Sequence, residues 1–244
     1  MLLHKRLIHQ GTVFFRYRGQ LPIIVILFSV FLIVFFPINL TKEFRYGFYA
    51  LSFLFVISGH IIRASTVGNR HKHTSGRNRS HHYAENLNTT GWYSVTRNPL
   101  YFANFLIWLG LSLSTQHIGV VLLVCSFFWF VYQRIILSEE DYLLTKFGAS
   151  YEDWARKTPV FFPSLKKFNK NPNPLSFKTI IKNEYPGLSA TLSCMLIINI
   201  GQSIDNNNGY VFSYLDLLFL VCILFFAGSM KLLKHKTSFF NSED

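Results

Sequence analysis

The chain has 244 residues, of which half are hydrophobic and only 15% are charged, and its mean hydropathy is positive. A water-soluble domain carries roughly 25% charged residues, so this composition excludes an ordinary soluble fold and indicates a polytopic membrane protein. A formal net charge of +12 would suggest nucleic acid as a partner in a soluble protein; here the basic residues sort by membrane side, and their natural partner is the layer of anionic lipid headgroups, with no nucleic acid.

Six apolar stretches read as helical spans, at residues 21–36, 46–62, 100–114, 118–137, 187–200 and 210–233. The expected fold class is therefore all-α, a polytopic membrane helical bundle. The first and fifth stretches are short, which predicts tilt or partial burial. Of the 24 Lys and Arg residues, all but Lys42 and Arg45 fall on one side of this layout, which orients both termini to the cytoplasm. Cys125, Cys194 and Cys222 are odd in number and lie in apolar stretches, where they read as packing residues rather than a disulfide framework.

Residues 1–20 interleave Lys5, Arg6, Arg16 and Arg18 with apolar and aromatic residues, as in a basic flank that fixes orientation or a helix lying in the headgroup layer. The stretch 21–36 begins twenty residues in and lacks a small-residue cleavage site before Pro37, so it reads as a retained anchor. In the second span His60 and Arg63 share a helix face, and Arg63 is either a candidate substrate-orienting cation or a side chain that snorkels to the interface. The loop from Asn69 to Thr90 gathers His71, His73, His81 and His82. No Cys or carboxylate cluster accompanies them and their spacing matches no zinc pattern, so no metal is expected.

The centre of the chain runs from Gly91 to Pro163. A polar cluster, with Tyr93, Arg97, Asn98, Pro99, Leu100 and Tyr101, opens into an apolar run. Thr115, Gln116 and His117 turn it, and the returning run leaves the apolar zone at Glu139, Glu140 and Asp141. A three-residue turn forces the two runs antiparallel, which brings the Arg97 end and the Glu139 end to one membrane face. Phe147, Gly148, Tyr151, Trp154, Pro159 and Pro163 then form an aromatic segment expected to return along the membrane surface as a lid or an anchor. Residues 164–186 read as a basic linker, and 187–244 as an appended helical hairpin and tail. No phosphate-cradling glycine loop or G-x-G-x-x-G is present, so any cofactor is held by something other than a Rossmann turn.

In this order and spacing, Gly91, Tyr93, Arg97, Asn98, Pro99 and Tyr101, then Glu139 and Glu140, then Phe147, Gly148, Tyr151, Trp154 and Pro163, the chain resembles the membrane methyltransferases that include isoprenylcysteine carboxyl methyltransferase and the phospholipid N-methyltransferases. The family pattern is G-x-Y-x-x-x-R-H-P-x-Y, an apolar hairpin, E-E, and F-G-x-x-Y-x-x-Y. The resemblance implies a catalytic core over residues 1–163, with S-adenosylmethionine held by the unit 85–163. Carried over by position, Glu85, Asn86, Leu87, Asn88, Tyr93, Arg97, Asn98, Pro99, Leu100, Tyr101, Glu139 and Glu140 would line the cofactor site. Arg97, Glu139, Glu140 and Arg134 are the catalytic candidates, and Arg63 and Arg134 the candidates for the acceptor.

Two positions depart from the pattern. The family histidine is Asn98, which hydrogen-bonds but does not titrate near neutrality. The arginine that the family places four residues before the first glutamate is Ile135, with Arg134 beside it, which weakens a prenylcysteine carboxylate as acceptor. Methyl transfer from a sulfonium needs alignment and exclusion of water more than a base, and the basic loops favour an anionic oxygen on a lipid or lipidated acceptor. A lipid phosphate fits best, as in the lipid A phosphate methyltransferases that the basic, aromatic N-terminal segment also resembles. Two other readings stand beside it: an NADPH-dependent membrane sterol or steroid reductase, and a non-enzymatic membrane protein. In the last, Tyr93 and Tyr101 are belt aromatics, Arg97 an interfacial anchor, and Glu139 or Glu140 a partner of Arg134.

Overall fold

The computed structural model describes residues 2–38, 40–69, 84–206 and 213–236. The histidine-bearing part of the 69–90 loop lies outside them. Among the described residues eight α-helices follow in order: α1 (Leu2–Tyr17), α2 (Leu21–Phe35), α3 (Lys42–Gly68), α4 (Pro99–Ser114), α5 (Ile118–Phe147), α6 (Ala149–Ala155), α7 (Phe177–Asn206) and α8 (Tyr214–Lys236). Short 3₁₀ turns sit at Gly91–Ser94 and Leu165–Lys167. The all-α expectation holds, and no strand occurs among the described residues.

Four helices, α3, α5, α7 and α8, are long and apolar enough to cross a membrane, or five if the α1–α2 pair, bent by 78°, counts as one. The sequence suggested six spans. The difference lies in α4, with 16 residues, and α2, with 15, which fall short of the roughly 20 residues a straight span needs. The chain is an integral membrane protein by this count of apolar helices. The exposed Phe35, Phe44, Phe53, Leu215 and Phe225 are then side chains turned toward acyl chains.

Small residues set the closest helix contacts. A Cβ at Gly59 would come within 2.7 Å of the Ala103 carbonyl, and one at Gly110 within 2.8 Å of the Ser52 carbonyl, so α3 and α4 meet backbone to backbone. Gly11 does the same for α1, where a Cβ would overlap the Arg134 carbonyl of α5. The α4–α5 hairpin is held by aromatic packing rather than by small residues. Phe128 is fully buried and stacks on Tyr132 at 4.0 Å, with Phe105, Trp108 and Phe161 at its edges.

The expected fifth span begins earlier than the apolar run does. α7 starts at Phe177 and runs through Pro186, absorbing the last ten residues of the stretch read as a linker. It packs on α2, α3 and α4 as well as on α8. Of the two helices of the final hairpin, α7 packs on the rest of the bundle and contributes a charged residue, Glu184, to its interior.

Candidate active site

Two peptide segments clamp together at the start of α4. The Thr96 hydroxyl, fully buried, donates to the Phe161 carbonyl at 2.8 Å and accepts from the Asn98 N–H at 3.3 Å. The Asn98 side-chain amide donates to the Val160 carbonyl at 2.9 Å. The Arg97 N–H donates to the Pro159 carbonyl, and the Ser164 N–H to that of Val95. These bonds supply partners to backbone groups that no helix or sheet ladder reaches. Pro159 and Pro163 keep the 159–164 segment out of a helix, so its carbonyls stay free to accept. Phe161 then inserts among Phe102, Phe105 and Trp129, which fixes the clamp to the hairpin.

That clamp aims Arg97 at the far end of α5. Its guanidinium lies 3.2 Å from Glu140, both side chains largely shielded, at 15% and 25% exposure. The contact is an ion pair without an aligned hydrogen bond: Arg97 Nε and Glu140 Oε1 are buried with no aligned hydrogen-bond partner, and the buried Tyr151 hydroxyl lies within reach of both Glu140 and Arg97 without an aligned bond to either. Tyr151 comes from α6, entered through Gly148 at φ +51°, a left-handed conformation that glycine adopts without strain. Burial, and then the neighbouring Glu140 carboxylate, push the Tyr151 hydroxyl up from 10 to about 12, so it stays a neutral donor at physiological pH.

A second polar group lies beside the first. Tyr101, on the first turn of α4, has its hydroxyl within hydrogen-bonding reach of Glu139 and its ring 5.1 Å from Tyr132, edge to face. Tyr132 accepts from the Asn104 amide at 3.4 Å, and Asn104 in turn accepts from Arg63. Arg63 is locked to Glu184 of α7 by two hydrogen bonds, of 2.7 and 3.0 Å. A hydrogen-bonded polar track thus runs from Glu184 of α7 through Arg63 of α3 and Asn104 of α4 to Tyr132 of α5. Such groups persist inside a membrane protein only when they satisfy one another.

Of the residues singled out by sequence, Arg97, Glu140, Tyr101 and Glu139 come together at one end of the bundle. Pro99 is buried as the first residue of α4, Leu100 and Tyr93 are half-buried beside it, and the Tyr93 carbonyl accepts from the Trp154 indole at 3.2 Å. Asn98 spends its amide on the clamp. Leu87 and Asn88 are half-buried, while Glu85 and Asn86 are exposed. Arg134 points elsewhere: it donates to Gln10 of α1 at 2.9 Å and lies over the Phe130 ring. Arg63 is neutralised by Glu184 rather than open to a ligand. Sequence reasoning missed Glu184, Asn104 and Tyr132. Their signal was an amide and a phenol inside otherwise apolar runs, and one carboxylate just before Pro186, where a helix was not expected.

A sequence model of the phospholipid methyltransferase family matches residues 48–150. A nickel-cobalt-cadmium resistance protein of Alcaligenes xylosoxydans xylosoxydans is 42% identical over 82 residues, covering 34% of this chain and 38% of that protein. A cobalt-zinc-cadmium resistance protein of Cupriavidus metallidurans is 38% identical over 79 residues, 32% of this chain and 36% of its own length. Protein-S-isoprenylcysteine O-methyltransferase of Schizosaccharomyces pombe is 32% identical over 129 residues, half of this chain and 53% of that enzyme. The chain therefore spans between about a third and a half of the curated relatives it matches. No solved structure matches.

Proposed function

We propose, for a chain whose residues 48–150 match the model of the phospholipid methyltransferase family, that the Arg97–Glu140 end of the bundle binds S-adenosylmethionine and methylates a lipid or lipidated acceptor reaching it from the bilayer. The observation that carries this reading is the cluster of three buried polar groups with spare hydrogen-bonding capacity, Arg97 Nε, Glu140 Oε1 and the Tyr151 hydroxyl. Buried groups of this kind cost free energy unless something pairs with them. Together they offer a cation, an anion and a neutral donor, the complement of a zwitterionic amino-acid moiety.

When bound, the cofactor supplies an activated methyl group on a sulfonium sulfur. Arg97 then holds a carboxylate and Glu140 an ammonium, while Glu139, tethered by Tyr101, keeps negative charge beside the site. The clamp of 95–98 against 159–164 keeps Arg97 in place and excludes water from that side. An anionic acceptor oxygen needs no base and has only to be aligned, which suits a site without a titrating histidine, since Asn98 is engaged with Val160. With Arg63 held by Glu184, Arg134 by Gln10 and Arg97 given to the cofactor carboxylate, Arg18 is a cation among the described residues that could orient such an oxygen; it donates to the Phe15 carbonyl at 2.6 Å and acts electrostatically on Tyr101. The preferred acceptor is a lipid phosphate or a carboxylate. By the distribution of basic residues this end faces the cytoplasm, as do both termini.

The reading is tested with membranes containing the protein, given methyl-labelled S-adenosylmethionine and then extracted separately for lipid and protein. Label in lipid that disappears in Glu140→Gln supports a lipid acceptor, and label in protein alone moves the acceptor to a lipidated protein. No label in either, with thermal stabilisation by NADPH but not by S-adenosylhomocysteine, would replace the methyltransferase by the reductase reading.

A further inference from the structure

At the opposite end of the bundle the α4–α5 turn borders a cavity of about 150 Å³. At about 30 Å³ per water, that volume holds several waters or one tetrahedral oxyanion. Among the described residues its walls include Ile33 and Ile38, Arg45 and Tyr49 of α3, and Gln116 and Gln202.

Most polar groups around it are already engaged. Gln202 donates its amide to the Ser114 and Thr115 carbonyls, at 3.0 and 3.1 Å. His117 accepts the Val120 N–H on Nδ1, so Nε2 carries the proton and donates to the Phe36 carbonyl at 3.0 Å. Asn199 donates to Asp216, whose other oxygen takes Ser213, which removes that carboxylate as a partner for a cation. Two buried nitrogens are left without a hydrogen bond, Arg45 Nε and Gln116 Nε2. Both are donors, and one belongs to a permanent cation.

Gln116 is 91% buried and sits at φ +58°, the one non-glycine residue with positive φ among those described. The turn therefore holds a strained backbone at a residue that lines the cavity.

We propose that this end of the bundle carries a second ligand site, for a single phosphate or carboxylate group held by Arg45 and Gln116. The fixed positive charge of Arg45 beside a second unmet N–H donor favours an anionic acceptor over neutral water. Ile33 and Ile38 form one wall, and Phe35 and Phe36 beside them are exposed, so the group can arrive either as a free oxyanion or as the headgroup of a lipid lying along α2. The site lies a full helical hairpin away from Arg97 and Glu140 and does not depend on how that end is read.

The full chain, purified in an uncharged detergent at fixed ionic strength, is titrated with inorganic phosphate and, separately, with a short-chain phosphatidylglycerol, and its thermal midpoint is followed. Stabilisation by both assigns a general oxyanion site, and stabilisation by the lipid alone assigns a headgroup site. In either case Arg45→Gln weakens the response by about tenfold in concentration, the loss of one charge-assisted contact, while its response to S-adenosylhomocysteine is unchanged. Gln116→Gly separates ligand loss from misfolding: glycine suits the left-handed turn, so the unliganded midpoint holds or rises while the anion response falls. Equal responses of the wild type and Arg45→Gln, or no response to either ligand, overturn the proposal.

Discussion

The two ends of the same helices solve the problem of burying charge in opposite ways. At the Arg97 end, cations and acids come in neighbouring sets: Arg97 with Glu140, and Arg63 with Glu184. At the Arg45 end a cation and an amide border a cavity with nothing among the described residues to receive them. The first end is built by peptide segments that return from far along the sequence and by α7. The second gathers the α4–α5 turn with Ile33, with Arg45 and Tyr49 of α3, and with Asn199, Gln202 and Ser203 of α7. There the nearby Asp216 carboxylate is taken by Asn199 and Ser213, so Arg45 is left to a ligand.

Breaking the pairing at the first end should have the largest effect. Glu184→Ala leaves Arg63 unpaired between α3, α4 and α7, and a loss of about 3–5 kcal/mol is expected in denaturant titrations of the purified protein. The double change of Arg63→Met with Glu184→Leu should recover most of it, because the desolvation penalty disappears with the charges. Next in size, Arg97→Ala and Glu140→Gln should lower methyl transfer about 100-fold, the scale of a misplaced reactant, while moving the thermal midpoint little. If these two variants unfold instead, the Arg97 end is structural in the same sense as Arg63–Glu184, and the contrast between a pair that braces and a pair that binds is lost.

Thr96→Val removes a hydroxyl that serves Phe161 and Asn98 together, and should cost about 1–3 kcal/mol with a parallel fall in activity as the clamp loosens. Tyr151→Phe is the smallest change. The hydroxyl has no aligned partner in the absence of ligand, so stability at neutral pH should shift by less than about 1 kcal/mol. Its signature is at high pH. The folded phenol titrates near 12 against 10 for the unfolded chain, so the wild type keeps its stability below 10 and loses some of it between 10 and 12, a slope that the phenylalanine variant should lack.

Much of the Arg97 end was legible in the sequence because it follows from lengths. Two apolar runs joined by Thr115, Gln116 and His117 can only be antiparallel, and that alone sets Arg97 beside the Glu139–Glu140 pair. What was not legible depended on rotation about a helix axis and on helix starts. Arg134 and Ile135 are adjacent, yet Ile135 is wholly buried and Arg134 faces α1, because one residue turns the helix by about 100° and apolar runs on α5 continue around much of its surface. Glu184 was lost with the start of α7. Lys178, Lys182 and Pro186 read as linker composition, but a charged stretch that also carries Phe177, Ile180 and Ile181 can be helical where one face packs on α3. Gln116 gave no signal at all, since its importance lies in a backbone angle and an unmet amide.

The most direct test of the account is calorimetric titration of S-adenosylhomocysteine into the detergent-purified wild type and into Glu140→Gln of matching thermal midpoint. Saturable binding by the wild type, weakened by about tenfold or more in the variant, is the predicted result. Binding of equal strength in both proteins would place the cofactor's amino-acid moiety elsewhere and contradict the assignment of the Arg97–Glu140 end.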